Sequence, residues 1–263
     1  METQKITKIE LDVDKKEINR FIYKEFTVNS VGDVLDETEF KSDSSVANKR
    51  IYRYFDSGDV EDYIEYDPMD KLLERHTYVE NESGDINKVI YEYSDGHKTV
   101  KEFQYTDLGF AERATLKDEK NLVTGYETYI LNEEGQVVEQ IETDPDHNEI
   151  SKLIKTYNEK GLTLNEKQFM DGELTEDIAY IYDEKENLIK KITTNKTDKF
   201  EVIDEYTYDI HGNMLYNSTF QNGVLVFENR CTYDEDNNLV TEEFFEINYW
   251  ERRIIRHERL IHE

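Results

Sequence analysis

The sequence has few of the residues that typically stabilise a secreted chain or anchor one in a membrane. It contains 263 residues but one cysteine, Cys231, which cannot form a disulfide within the chain. No stretch approaches the roughly 18 consecutive apolar residues of a membrane-spanning helix. Residues 1–6 are not followed by the apolar run of a secretory signal. These absences predict a cytoplasmic location and no membrane partner.

Proline and glycine are also scarce, and their positions are informative. The two prolines, Pro68 and Pro145, each follow an aspartate in a polar stretch, as is typical of turns. Of the 11 glycines, seven fall into one register with a spacing of 25 or 26 residues. The nine positions of this register, called anchors below, are Gly32, Gly58, Gly84, Gly109, Gly135, Gly161, Glu186, Gly212 and Asn237. A fixed period of this length indicates a repeat architecture.

The residues around each anchor repeat as well. Tyrosine is the commonest residue four positions before the anchor, and eight of the nine residues two positions after it are apolar. A second turn signal follows about half a period later, with Asn222-Gly223 as the clearest case. The other second turns are predicted at Asp67–Asp70, Ser94–Gly96, Lys117–Asn121, Asp144–Asp146 and Asp171-Gly172. Each unit therefore reads as two strands and two turns.

Nine such units predict an all-β protein, an antiparallel meander of about 16–18 strands. Open sheets of this width usually curl, so we expect a curved or spiralling open sheet, with a large closed barrel as the alternative. The unbroken register predicts a single repeat domain over residues 1–263. Within it, residues 1–31 form N-terminal cap strands, 32–237 the repeats, and 238–263 the C-terminal cap strands. This last segment includes a basic tail with Arg252, Arg253, Arg256 and Arg259.

Acidic residues greatly outnumber basic ones. Sixty-one Asp and Glu against 32 Lys and Arg give a formal net charge of −29. This charge repels nucleic acid and favours a basic protein partner. The alternative interpretation is that the charge only keeps a long sheet soluble.

Tyrosines at the positions six and four before each anchor share one face of the predicted sheet. They form either a structural ladder of cross-strand contacts or a surface that grips a partner. The candidate partner-binding residues are Tyr105, Tyr129, Tyr157, Tyr180, Tyr182, Tyr206, Tyr208 and Tyr233.

Patterns that would indicate an enzyme or a metalloprotein are missing from the sequence. The six histidines and Cys231 have no zinc-ligand spacing, and two calcium-like runs of carboxylates, beginning at Asp144 and Asp234, lack the ligand at their twelfth position. Carboxylates are too abundant for a catalytic pair to be singled out. We therefore expect no enzymatic activity, no metal and no cofactor.

One stretch resembles a known repeat family. Tyr206-Thr-Tyr208-Asp209-Ile-His-Gly212-Asn213 is similar to the Tyr-x-Tyr-Asp-x-x-Gly core of the RHS/YD repeats, and the stretches at Tyr182-Asp183 and Tyr233-Asp234 are weaker copies. The resemblance implies a long β-strip, which in that family often coils into a shell around a toxin. The longer period and the lack of an associated toxin domain depart from the family pattern.

A short array of this kind looks like the bacterial repeat proteins that include immunity and antitoxin proteins. By this analogy we expect a monomer or weak oligomer that binds and neutralises a basic toxin through an acidic, Tyr-rich surface. The alternative is a structural or cell-envelope repeat protein, or a shell fragment, without a toxin partner.

Overall fold

The computed structural model describes residues 2–11, 16–246 and 251–262, and these residues form strands joined by turns. The strands are β1 (Glu2–Leu11), β2 (Glu17–Val28), β3 (Val34–Phe40), β4 (Val46–Tyr54), β5 (Val60–Tyr66), β6 (Leu72–Glu80), β7 (Ile86–Tyr93), β8 (Lys98–Tyr105), β9 (Ala111–Asp118), β10 (Val123–Leu131), β11 (Val137–Thr143), β12 (Glu149–Tyr157), β13 (Thr163–Met170), β14 (Glu173–Tyr182), β15 (Leu188–Asn195), β16 (Phe200–Tyr208), β17 (Met214–Gln221), β18 (Val224–Tyr233), β19 (Leu239–Glu246) and β20 (Glu251–His262).

Each strand pairs antiparallel with the next one along the chain, which confirms the all-β meander. The 20 described strands exceed the predicted 16–18 because both cap segments contribute complete strands. Strands β1–β19 follow one another as the expected open sheet. The last strand then pairs with β19 on one side and with β1 on the other, from Thr3–His262 to Leu11–Ile254. The backbone ladder thus returns to its start, as in the closed alternative, and leaves no described strand with a free edge.

The sheet is a single layer with a sparse core. Its accessible surface is 16429 Å², whereas a globular protein of this mass exposes roughly 12,000 Å². Among the residues whose burial the structure describes, the buried apolar ones are Ile9, Val28, Ile64, Val89, Ala114, Ile178 and Cys231. Cross-strand pairs and turns must therefore supply stability that a thick core supplies in other folds.

The nine anchors all lie in turns at the same end of the strands. This row of turns is called the anchor rim below. Every anchor has a positive φ, from 63° at Asn237 to 101° at Gly32, and Glu186 shares it at 71°. In all nine units the residue four before the anchor pairs with the residue two after it. The repeat read from the sequence is therefore confirmed at the level of individual residue pairs.

The second turns lie along the opposite rim, and the predicted ones are confirmed. Asp171-Gly172 and Asn222-Gly223 are two-residue turns in which both residues have positive φ, the type I′ geometry that suits a hairpin. In the turn with Pro68, the N–H of Asp67 donates to the carbonyl of Lys71.

The predicted basic tail falls partly outside the described residues. The backbone of residues 251–262 forms β20, whereas the side chains of Arg252, Arg253, Arg256 and Arg259 lie outside the described part of the chain.

Candidate protein-binding surface

Each anchor turn is a five-residue loop with the same main-chain hydrogen bonds. In the turn Asp209–Asn213, the N–H of Asp209 donates to the carbonyl of Asn213 at 2.9 Å, and the N–H of Gly212 donates to the carbonyl of Asp209 at 3.3 Å. The fourth residue must be left-handed to close this loop, which is why glycine dominates there. The following strand starts with a bulge, since Thr207 pairs with Tyr216 and Tyr208 with Met214, leaving Leu215 between them.

An Asn or Asp side chain begins most of these turns and fixes their shape. Asp209 Oδ1 accepts hydrogen bonds from the N–H groups of His211 and Asn213, at 2.8 and 2.9 Å. Asn213 Nδ2 donates to the other oxygen at 2.9 Å. Asp183 has equivalent bonds with Asn187. Side-chain hydrogen bonds from Asn187 and Asn213 lower the pKa of Asp183 and Asp209 below the ordinary value, so both carboxylates stay charged.

The tyrosine four before the anchor ties successive units together. The Tyr208 hydroxyl donates to the Leu188 carbonyl at 2.8 Å, while the Tyr208 main chain pairs with Met214. One residue therefore links β15, β16 and β17. The same bond recurs from Tyr54 to Val34, Tyr105 to Ile86, Tyr157 to Val137, Tyr182 to Thr163, and Tyr233 to Met214.

Three equivalent grooves lie between consecutive anchor turns. Each contains a tyrosine of this series, carboxylates of the turns, and the aliphatic residue at the bulge of the preceding unit. The tyrosine and aliphatic residues are Tyr157 with Val138, Tyr182 with Leu164, and Tyr208 with Ile189. Leu164 is 41% exposed, and Ile181, which lines the same groove, is 42% exposed. Each groove thus places an aliphatic residue beside charged turns, and lysines line the grooves as well: Lys155 and Lys160 the first, Lys160 the second and Lys185 the third.

The anchor rim carries about half of the excess negative charge of the protein. Its nine five-residue turns contain 16 acidic residues and two lysines, Lys160 and Lys185, for a formal charge of −14 out of −29. Within the described residues, only Glu186 among these 16 forms an ion pair, with Lys160 at 2.8 Å. The rim is therefore a line of largely uncompensated carboxylates.

The eight candidate tyrosines share one face of the sheet, as expected from the strand registers, and all are half-buried. The structure brings Tyr157, Tyr180, Tyr182, Tyr206 and Tyr208 into the row of grooves. These five tyrosines line the grooves, but most hydroxyls of the eight are engaged within the protein. Partner binding by these residues stays a prediction, and it would use the rings.

Two candidate tyrosines donate to carboxylates instead of main-chain carbonyls. Tyr129 donates to Glu127 at 2.6 Å, and the same carboxylate pairs with Lys101 at 2.8 Å, across the intervening strand β9. Tyr180 donates to Glu166 at 3.3 Å. Burial, helped by Glu166, raises the pKa of Tyr180 to about 12, and burial with Glu127 raises the pKa of Tyr129 further.

An aromatic ladder of the expected kind occurs elsewhere on the sheet. Tyr52, Tyr63, His76 and Tyr91 lie on four consecutive strands with ring centroids 4.9–5.5 Å apart. The structural interpretation of the tyrosines therefore holds in two forms, ring contacts in β4–β7 and hydroxyl-to-carbonyl bonds at the anchor rim.

Sequence reasoning missed the rim and the groove floors. The signal was present, because six of the nine residues three after an anchor are aliphatic: Leu35, Val138, Leu164, Ile189, Leu215 and Val240. Counting charge by position within the unit would have found the acidic turns.

No group of three or more His, Cys, Asp or Glu side chains in the described part of the chain could hold a metal ion. Cys231 is a buried free thiol whose pKa burial raises, which lowers its reactivity. The described residues include no helix long and apolar enough to cross a membrane.

Comparisons with known proteins give similarity of fold only. A family model described as "Uncharacterised protein" matches residues 127–248. No curated protein sequence matches the chain. Similar solved structures include TcdB2-TccC3-Cdc42, with a TM-score of 0.49 and 12% identity over 94% of this chain and 15% of that chain.

Two further structures are similar in the same way. TcdB2-TccC3 has a TM-score of 0.48 and 12% identity, covering 96% of this chain and 16% of that chain. A porin-like protein from Bacteroides uniformis ATCC 8492 has a TM-score of 0.40 and 11% identity, covering 98% of this chain and 96% of that chain. The chain thus spans about one sixth of the length of the two toxin chains.

Proposed function

We propose that this protein is a non-catalytic binding module that holds a basic protein partner against its anchor rim. The observation that carries the proposal is the rim itself, where 16 carboxylates are accompanied by two lysines. The turns of the opposite rim in the described chain, from Lys41–Ser45 to Asn222-Gly223, hold ten acidic and five basic residues, which gives a formal charge of −5. The negative charge is therefore concentrated on the anchor rim, where a single partner can contact it.

The chemistry of the rim suits capture of a cationic surface. Complementary charge speeds association and improves selectivity more than it adds affinity. The aliphatic residues and tyrosines of the grooves supply apolar area, of which Leu164 and Ile181 are the most exposed, and aromatic residues are enriched where interfaces are tight. The regular spacing of the turns presents this combination of groups several times along one line.

The finer form of the proposal is an immunity or antitoxin protein that neutralises a basic toxin, such as a nuclease. Two features support it: the resemblance of Tyr206–Asn213 to the RHS/YD repeats, and the concentration of negative charge that would mimic a nucleic-acid backbone. Binding would then cover the positively charged active site of the toxin. Localisation in the cytoplasm and a monomeric or weakly oligomeric state remain predictions that accompany this proposal.

The test is capture of the protein encoded next to this one, by tagged wild-type protein and by two charge variants. The rim variant carries Glu133→Gln, Glu134→Gln, Glu159→Gln and Glu184→Gln. These four carboxylates are exposed and form no ion pair within the described chain. The control removes four charges at the opposite rim, through Asp146→Asn, Asp171→Asn, Glu173→Gln and Asp198→Asn.

The proposal is supported if the wild-type protein captures a basic partner at low salt and releases it at high salt. The rim variant should then fail to capture this partner, whereas the control variant should still bind it. Equal capture by both variants would show that the rim is not the interface. Capture of no partner, or of envelope proteins only, would favour the alternative of a structural repeat protein.

A further inference from the structure

We infer that the anchor turn at residues 106–110 is the apolar centre of the rim interface, and that it fits an apolar pocket bordered by Lys or Arg on a basic partner. This inference rests on the proposed function and specifies where on the rim the partner is held. Residues 106–110 are called the apolar turn below, because they alone among the nine anchor turns contain two apolar side chains, Leu108 and Phe110.

Phe110 occupies a position that most anchor turns use to close the loop. In six of the nine turns the side chains of the first and fifth residues are hydrogen-bonded to each other, as Asn213 is to Asp209 at 2.9 Å. The apolar turn has Phe110 as its fifth residue, and a phenylalanine side chain cannot form this bond. Its loop is held by main-chain hydrogen bonds and by the Thr106 hydroxyl, which accepts from the Phe110 N–H at 3.2 Å. The Phe110 ring is therefore not needed to shape its own turn.

The ring of Phe110 instead lies against the next turn along the rim. A Cβ added to Gly135 would lie 2.5 Å from this ring, and the phenylalanine remains 40% exposed. On the other side, the hydroxyl of Tyr105, which directly precedes the apolar turn, donates to the Ile86 carbonyl. Leu108 projects from the turn with 83% exposure. The apolar turn is thus connected to the units on both sides, and it presents a supported ring and a projecting leucine to a partner.

Only negative charge surrounds these two apolar side chains. The apolar turn and the two neighbouring anchor turns, at residues 81–85 and 132–136, contain no basic residue. Their five carboxylates have no ion pair in the described part of the chain: Glu82, Asp85, Asp107, Glu133 and Glu134. Interface residues whose loss costs most affinity typically lie within a ring of weaker contacts that excludes water. The apolar turn has this arrangement, and its carboxylates select a partner with cations around the pocket. A second copy of this chain would place like charges opposite each other, which opposes binding.

The test is a titration of the protein encoded next to this one by biolayer interferometry, at low and high salt. The wild-type protein is compared with Leu108→Ser and with two controls of equal exposure. Ile210→Ser lies in another anchor turn, with 81% exposure, and Met69→Ser lies in a turn of the opposite rim, with 83% exposure. All three side chains project into solvent, so their replacement leaves the fold intact.

The Phe110 ring is tested through the glycine that it contacts. Gly135→Ala would displace the ring, and it also places an alanine in a left-handed conformation, at a φ of 80°. Gly172→Ala, on the opposite rim, introduces the same backbone strain at a φ of 78°, but no atom lies within 4 Å of its added Cβ. A difference in affinity between these two variants therefore reports the position of the ring.

We expect Leu108→Ser to weaken binding about tenfold or more, as is typical of a residue at the centre of an interface, through faster dissociation. The two serine controls should bind as the wild type does, and Gly135→Ala should bind more weakly than Gly172→Ala. The rim variant should mainly slow association.

A loss in Leu108→Ser no larger than that in Ile210→Ser would overturn the inference. If the rim variant still binds more weakly in that case, the proposed function stands. If the wild-type protein does not bind its neighbour, both fail. Self-association of the wild type at high salt that Leu108→Ser abolishes would show that a second copy covers the apolar turn, and this would also overturn the inference.

Discussion

Replacement of Glu186 by glycine should stabilise the protein, because Glu186 is the anchor with the least suitable residue. Its φ of 71° lies in the left-handed region that seven other anchors fill with glycine and one with asparagine. The main-chain geometry of the loop is the common one, since the N–H of Glu186 donates to the Asp183 carbonyl at 3.1 Å. The glutamate therefore adopts the same backbone conformation at a steric cost that glycine avoids.

The magnitude follows from three terms. A non-glycine residue in the left-handed region costs about 1–2 kcal/mol. Glycine also gives the unfolded chain more conformational freedom, which lowers the free energy of unfolding by roughly 0.4–1 kcal/mol. The ion pair between Glu186 and Lys160 is lost, but both side chains are about half exposed, and such pairs contribute only about 0.2–1 kcal/mol. The midpoints of these three ranges give an expected net gain of about 0.2 kcal/mol.

The assay is urea-induced unfolding of Glu186→Gly and two companion variants. Glu186→Ala loses the ion pair but keeps the strained φ, so it should be no more stable than the wild type. Gly212→Ala introduces the strain at the next anchor, where the nearest atom to an added Cβ is 3.9 Å away. Because space is available there, its expected loss of about 1 kcal/mol would come from the backbone conformation alone.

Opposite signs for Glu186→Gly and Gly212→Ala, with an unchanged slope of unfolding free energy against urea, would support the reasoning. A destabilising Glu186→Gly together with a neutral Gly212→Ala would refute it, since the left-handed conformation would then not control the stability of the turns.

Three further predictions concern the sheet. Tyr157→Phe should lower the free energy of urea unfolding by about 1 kcal/mol, because it removes a hydrogen bond to a main-chain carbonyl. The control is Tyr206→Phe, which should cost little because the Tyr206 hydroxyl has no hydrogen bond among the described residues. Equal losses in the two variants would argue against the Tyr157 bond. Gly125→Ala should be strongly destabilising in thermal unfolding, since its Cβ would lie 2.5 Å from the Thr143 carbonyl oxygen; an unchanged midpoint would contradict this. Because the pKa of Tyr180 is raised to about 12 in the folded protein, the stability it contributes should be complete below pH of about 10 and decline as the pH rises toward 12, and Tyr180→Phe should reduce that decline.

Much of the fold was predictable because the turns carry strong local signals. The left-handed anchors and the Asn-Gly and Asp-Gly hairpins depend on backbone conformations that few residues tolerate. The sequence therefore located the turns and the recurring residues four before and two after each anchor, which the structure shows to be cross-strand pairs. Tyr208 and Met214, for example, are a direct cross-strand pair.

The functional surface was less predictable, because it depends on which residues of different units become neighbours. The sequence placed the tyrosines on one face, which the strand registers confirm. It did not show that the Tyr182 hydroxyl donates to the Thr163 carbonyl, or that Leu164 forms the floor of a groove beside it. These contacts join residues about 19 positions apart, and no local pattern encodes them.

The sequence by itself determined the repeat, the strand alternation and the acidic turns, because each depends on residues close together in the chain. Tertiary structure alone decided that β20 pairs with β1, that the charged turns form one rim, and that grooves lie between them. The physical reason is geometric. Each strand is shifted and twisted slightly relative to its neighbour, and these shifts add up across the sheet. The position of one unit relative to the next is therefore defined only when the whole sheet is assembled.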